Sequence, residues 1–183
     1  FLCMHGYPIY ADFVDGPTDE RLLPFLGLIT GWLGGREVLF EEFGGPALRS
    51  GTVLDQARAA TPHTSLLDEE CAATFTRRAL DALRHDGCSG AMLWCYRDYA
   101  EALWDDAPLD AATWERWFGL WRVDGSPKPA VAEVTGFENL RRVLAPEVPW
   151  IDIGREEFSA SPREHLPRLY RRFCQHIDGT ASG

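Results

Sequence analysis

Apolar positions along the chain change their spacing block by block, and each change predicts an element. Phe1–Ile9 is apolar with little interruption and reads as a strand. Thr18-Asp19-Glu20 offers a helix start, and Pro24 suits a first helical position. Phe25, Leu28, Ile29 and Trp32 follow at helical spacing until Gly34-Gly35 ends the run. Arg36–Phe43 predicts a second strand, with Val38-Leu39-Phe40 apolar on both faces, as a parallel strand covered on both sides requires. Gly44 to Leu67 is rich in Gly, Pro, Ser and Thr without a period. It is longer than a mere connector and therefore a candidate functional loop. Asp68 or Ser65 can cap the next helix, where Cys71, Phe75, Ala79, Leu80 and Leu83 form one stripe and Arg77, Arg78 and Arg84 face outward. Gly90–Cys95 predicts a third strand. Tyr96–Thr113 is a second long loop, Trp114–Leu120 a helical turn or short helix, and Ala130–Leu144 a further helix.

Strand and helix alternating three times is the pattern of an α/β fold, a parallel sheet with crossover helices on its outer surface. An open doubly wound sheet and a (β/α)8 barrel both fit. The barrel needs ~250 residues, so three visible strands would be at most three of its eight. The chain opens on Phe1-Leu2-Cys3-Met4, apolar and without a charged leader, which reads as the start of a buried strand inside a longer protein. The end of the chain has another character. Glu147–Ile153 reads as extended, and Ser161-Pro162-Arg163-Glu164 matches a capping box. Leu166, Leu169, Tyr170, Phe173 and Ile177 then form an apolar stripe, with Arg168, Arg171 and Arg172 off it. The expected organisation is a domain over residues 1–144, an extension over 145–178 packed on it, and a disordered tail over 179–183.

Composition narrows the function classes. With 45% hydrophobic and 25% charged residues the chain is globular, not disordered. A net charge of −10 lacks the basic footprint of a nucleic-acid binder and would be repelled by an anionic membrane. No apolar run reaches the ~18 residues of a membrane span. Of 18 basic residues only Lys128 is a lysine. The five cysteines hold no C-x-x-C pair, so neither a zinc site nor a disulfide framework is implied. They read as small buried residues and lean toward a reducing compartment, leaving location open. His63, His85, His165 and His176 lack metal-ligand spacing, and no phosphate-binding glycine motif follows a strand. No metal or cofactor is implied.

Residues at the C-terminal ends of parallel strands converge on one rim. Here those ends carry His5 and Tyr7, then Glu41 and Glu42, then Trp94. A carboxylate after Val-Leu-Phe is costly to bury without a partner, so it is either solvated or used. His5 and Trp94, each taken alone, read as core residues before functional ones.

Taken together, His5-Gly6-Tyr7-Pro8, Glu41-Glu42-Phe43-Gly44 and Leu93-Trp94 resemble the last three strands of a retaining glycoside hydrolase of family 5, the cellulase and mannanase group of (β/α)8 glycosidases. Trp121–Ala130 also resembles the turn before the final barrel helix of such enzymes. The resemblance covers about residues 1–144. It implies the C-terminal three β/α units of a TIM barrel plus a C-terminal helical tail, acting on an oligosaccharide or polysaccharide. It further implies Glu42 as nucleophile, with Glu41 the lesser candidate. Tyr7 would donate to the Glu42 carboxylate, His5 would bond nearby, and Trp94 would be a sugar-stacking floor. Tyr99 and Trp104, in the loop with Asp98, Asp105 and Asp106, are further candidates for sugar contact. The family's acid/base glutamate belongs to a strand absent from this sequence, so these residues alone should be inactive. A non-catalytic carbohydrate-binding relative on the same barrel is the rival reading.

Overall fold

The computed structural model describes residues 1–50, 66–85, 88–135 and 147–180. Its elements are β1 (Leu2–His5), α1 (Leu22–Gly34), β2 (Val38–Phe43), β3 (Ala47–Leu48), β4 (Leu67–Asp68), α2 (Glu69–His85), β5 (Gly90–Leu93), α3 (Ala130–Val134), α4 (Arg155–Ala160) and α5 (Pro162–Thr180). β1, β2 and β5 form one sheet in that order, with both pairs parallel, and β3 and β4 make a separate parallel pair. The fold class is therefore α/β. Among the described residues no helix is long and apolar enough to cross a membrane.

One face of the sheet makes the core. Leu23 from α1 and Phe75, Ala79, Leu80 and Leu83 from α2 enclose Phe40 and Phe43, with Met4, Ala91 and Leu93 packed against them. Burying each of these large side chains contributes roughly 1.5–3 kcal/mol. Cys3, His5 and Met92 alternate to the opposite face and are exposed.

The central strand holds one residue more than either neighbour. Met4 pairs with Phe40 but His5 pairs with Glu42, and on the other side Ala91 pairs with Phe40 while Leu93 pairs with Phe43. A bulge of this kind reverses the alternation beyond it. Phe40 and Phe43, three apart, thus share the buried face, their rings 6.4 Å apart. Glu41 and Glu42 are left together at the rim.

Several elements depart from the sequence expectation. β1 stops at His5, and Pro8–Tyr10 is a 3-10 turn with proline at its start. Pro24 is the third residue of α1, whose first turn is set by bonds from Leu22 and Leu23 back to Asp19 and Glu20. In α2, Asp68 receives the Glu70 N–H at 3.0 Å as a cap, but Cys71 is exposed and Ala72 and Thr76 take the inward positions. The buried stripe is rotated by one residue because Phe75, Ala79 and Leu83 fix it. Of the cysteines only Cys88 is buried; Cys3 and Cys71 are exposed. The predicted helix from Ala130 is described to Val134, and its continuation lies outside the described residues, as does Ser65.

At the C-terminal end, the short α4 precedes α5 where the sequence showed no period, and α5 includes Gly179 and Thr180, which were expected to be loose. Residues 181–183 lie outside the described set. Leu169, Tyr170 and Phe173 are buried against Leu22, Phe25, Leu28 and Ile29 of α1, with Trp150 and Phe158. Arg168 and Arg172 are not idle: Arg168 binds Asp152, and Arg172 donates to the Trp150 carbonyl at 2.8 Å.

Candidate functional site

Three strand ends meet where the sequence places its polar residues. The Tyr7 hydroxyl donates to Glu42 Oε2 at 2.8 Å. Gly6 carries Tyr7 across from β1, its N–H bonded to the Glu42 carbonyl at 3.0 Å. Burial, then the bond to Glu42 and the charges of Glu42 and Glu115, push the Tyr7 hydroxyl's pKa well up. It remains a proton donor across the working range.

His5 stands between the two carboxylates. Its Nε2 lies 3.3 Å from Glu41 Oε2 and its Nδ1 lies 3.4 Å from Glu42 Oε2, with about half of its side chain exposed. Glu41 also accepts the Cys3 thiol, which with the His5 bond holds its carboxyl below the usual range and raises the Cys3 pKa. The two glutamates therefore have different company: Glu41 shares the open sheet face with Cys3 and His5, whereas Glu42 is drawn toward Tyr7.

Trp94 follows β5, its N–H donating to the Phe43 carbonyl at 2.9 Å, and the residue is 36% exposed at the rim. Gly44 permits this approach: a Cβ there would sit 2.3 Å from the Trp94 carbonyl oxygen. That glycine is needed wherever the Glu-Glu-Phe turn abuts the next strand end.

Sequence reasoning missed three residues. Tyr10 lies one 3-10 turn beyond Tyr7, and the rings pack 5.7 Å apart. Positions i and i+3 eclipse in such a turn, so Tyr7-Pro8-x-Tyr10 carried a readable signal. The Tyr10 hydroxyl donates to Glu115 Oε1 at 2.6 Å and accepts Trp114 Nε1 at 2.8 Å. Glu115, 105 residues away in sequence, carried none. Phe118, next to this group, meets the Tyr7 ring edge-on at 5.8 Å.

Tyr99 and Trp104 form a neighbouring group. Trp104 Nε1 donates to the Tyr99 carbonyl at 2.9 Å, its ring packs on Trp117 at 5.1 Å, and the Arg116 guanidinium lies over it at 4.8 Å. Trp104 thus borders a cleft of about 290 Å³ with Glu101, Trp117 and Arg122, not the Tyr7–Glu42 pair. Tyr99 feels burial and the charges of Cys95 and Glu115, all of which raise its pKa. Asp98, expected among the sugar acceptors, is buried instead. It receives Lys128 Nζ and the Gly119 N–H, each at 2.8 Å, while Lys128 also donates to the Ala47 and Trp117 carbonyls. Lys128, bonded to Asp98 and to these two carbonyls, pins three loops together, and Asp98 serves that link first.

No family model and no curated protein sequence matches the chain. Solved structures of GH5 enzymes do match it over part of their length. GH5_18 from Bifidobacterium longum subsp. longum aligns with a TM-score of 0.52 at 16% identity, over 77% of this chain and 32% of that one. A Glu-to-Ala variant of it, in complex with Manβ1-4GlcNAc, aligns with a TM-score of 0.51 at 18% identity, over 77% and 31%. Exo-beta-1,4-mannosidase Op5Man5 from Opitutaceae bacterium strain TAV5 aligns at 25% identity with a TM-score of 0.49, over 72% and 21%. The chain thus shares the fold of part of the GH5_18 structures and spans about a third of their length or less.

Proposed function

We propose that these residues are the C-terminal three β/α units, with a helical extension, of a retaining β-glycosidase barrel, and that Glu42 is its nucleophile. The observation carrying this reading is the 2.8 Å bond from Tyr7 to Glu42 at the C-terminal rim of a parallel sheet. A carboxylate held by a neutral donor keeps its charge and its aim, which is what attack at an anomeric carbon requires. In the first step a Glu42 oxygen bonds to the anomeric carbon as the bond to the leaving-group oxygen breaks. That oxygen takes a proton from a second carboxylic acid ~5 Å away. In the second step water displaces Glu42, giving its proton to the same group. The second group is contributed by residues outside this chain, so the 183 residues alone are inactive.

Trp94 supplies an apolar platform for the sugar's C–H face, and Tyr99, on the loop that follows β5, is a further candidate contact. Trp104 belongs to the more distant cleft. Oligosaccharide is the substrate class, and β-mannosides are the first to try, because a protein sharing the fold was solved with Manβ1-4GlcNAc. Nothing comparable favours a cellulose chain.

The test is made in the full-length protein. A 2-fluoro-glycoside should leave one glycosyl label in the peptide Val38–Gly44, and Glu42→Gln should abolish labelling and turnover while sugar binding persists. A label mapped to another segment would end the assignment. Sugar binding without any label in the wild-type protein would favour the non-catalytic relative.

A further inference from the structure

Glu115 has an unusual set of neighbours for a half-buried carboxylate. Among the described residues no cation lies within ion-pair distance of it; Oε1 is held by the Tyr10 hydroxyl and no bond engages Oε2. The polarity of its support is fixed, since indole N–H only donates: Trp114 gives to Tyr10, and Tyr10 gives to Glu115. The Tyr10 hydroxyl is therefore fully committed and cannot turn toward another acceptor.

Its location follows from its neighbours: Tyr10, which it binds, packs on Tyr7 at 5.7 Å, and the adjoining Arg116 carbonyl accepts the Tyr99 N–H at 3.1 Å. The charge of Glu115 raises the pKa of Tyr7, of Tyr99 and of Cys95, the last pushed up to about 11 mainly by burial. Glu115 thus stands between the Tyr7 rim and the loop after β5. Tyr7 and Tyr10, their rings packed at a 53° tilt, each present a hydroxyl to a carboxylate, Glu42 for one and Glu115 for the other. Only the first carboxylate has a role in the displacement.

From this geometry we infer that Glu115 binds the hydroxyls of the glycosyl unit held over Glu42, with Tyr10 and Trp114 as its positioning residues. The inference rests on the glycosidase reading of the same rim. An ionised carboxylate accepts from sugar hydroxyls through short, charge-assisted bonds, roughly twice as strong as neutral ones. The same charge repels a second carboxylate, so the site selects neutral hexosides and rejects uronides.

The experiment is a binding titration of the full-length protein with Manβ1-4GlcNAc, its monodeoxymannosyl analogues and GlcAβ1-4GlcNAc, followed by tryptophan fluorescence. Every sample carries Glu42→Gln so that no sugar is cleaved, and wild type here denotes native Glu115. Glu115→Gln keeps the shape and still accepts from Tyr10, so it should weaken Manβ1-4GlcNAc about tenfold. Against at least one deoxy analogue the variant and the wild type should bind alike, because the hydroxyl is missing. That cancellation is a readout that a merely structural role would not move. Tyr10→Phe should weaken the parent disaccharide and show the same cancellation. The uronide should bind wild type far more weakly than the neutral disaccharide, and Glu115→Gln should narrow the gap. Equal affinity of wild type and Glu115→Gln would overturn the inference, as would a loss of the same size for every analogue. Fluoro-sugar labelling of Val38–Gly44 is scored separately, so loss of the nucleophile assignment and loss of the Glu115 assignment are read from different data.

Discussion

His5 faces Glu42, not Glu41, in the ladder between β1 and β2. The shift comes from the extra residue in the central strand, and it brings one imidazole within 3.4 Å of two carboxylates. A neutral imidazole donates from one nitrogen only. In either neutral tautomer, one glutamate receives a proton and the other faces a lone pair. The Tyr7 hydroxyl, bonded to Glu42 alone, breaks that symmetry in favour of Glu42 as the better-supported carboxylate.

Removing that hydroxyl should be measurable. Tyr7→Phe in the full-length protein deletes one bond to a charged acceptor, worth roughly 1.5–3 kcal/mol. Hydrolysis of a β-glycoside should fall by about one to two orders of magnitude, with slower fluoro-sugar labelling. An unchanged rate would mean that the Tyr7–Glu42 contact is packing without a role in chemistry.

Glu41 has a separate signature through Cys3. Its hydrogen bond and charge hold the Cys3 thiol above its ordinary pKa. Glu41→Gln in this chain should lower that value and increase the thiolate fraction near pH 8. Peptide-resolved iodoacetamide labelling should then show faster alkylation of Cys3, while Cys71 on α2 keeps its rate. Equal rates at Cys3 would remove Glu41 as its partner.

Much of the site was legible because strand-end residues are fixed by strand existence alone. His5, Tyr7, Glu42 and Trp94 could be read as neighbours without knowing the register. The choice between Glu41 and Glu42 could not be read from parity, since a bulge conserves no alternation and is visible only afterwards, in Phe40 and Phe43 sharing a face. Asp98 was misread for a different reason. Its burial depends on Lys128, 30 residues later, reaching under the loop, and no local pattern announces such a partner. The rotation of the α2 stripe from Cys71 to Ala72 is subtler: Cys and Ala both suit an inward position, so periodicity left the phase one residue loose. The pairing of Tyr10 with Glu115 is non-local in the same way as Asp98 with Lys128.

Beside its apolar packing on α1, the C-terminal segment is held by a buried carboxylate. Asp19 accepts from Tyr170 at 2.5 Å, from Arg21 at 2.9 Å and from the Asp15 N–H at 2.9 Å. Burial alone would raise its pKa; these donors, Arg21 foremost, bring it below the usual value. An unfolded Asp protonates near pH ~3.9, so the unfolded chain binds the extra proton below that point. The stabilisation is complete above about pH 4 and is lost as pH falls through the native value. Urea denaturation at pH 7 and pH 3 should show this loss, and Asp19→Asn should reduce it. Tyr170→Phe should cost roughly 1.5–3 kcal/mol at pH 7, and a cost near zero would detach the extension from this anchor.

Lys128 and Asp98 form a further buried charge pair, with side chains 3% and 2% exposed. Lys128→Met leaves Asp98 without its cation and should destabilise by about 3–5 kcal/mol. Changing both, Lys128→Met with Asp98→Leu, should recover a large part of the loss. Denaturant midpoints of the two single variants and the double variant supply the cycle. If the double variant is as unstable as the sum of the singles, the pair is not the coupling element.

The same ammonium group gives the surface an odd chemical character. Lys128 is the only lysine in the 183 residues, and the fold keeps its nitrogen inside. Acylating dyes, aldehyde cross-linkers and ester-activated supports, which all seek side-chain amines, find none on the native exterior of these residues. Modification of Lys128 proceeds only through transient opening of the loops above it, at the intrinsic rate multiplied by the open fraction. A common labelling reagent thereby becomes a clock for local opening, with a single lysine to read apart from the α-amino group.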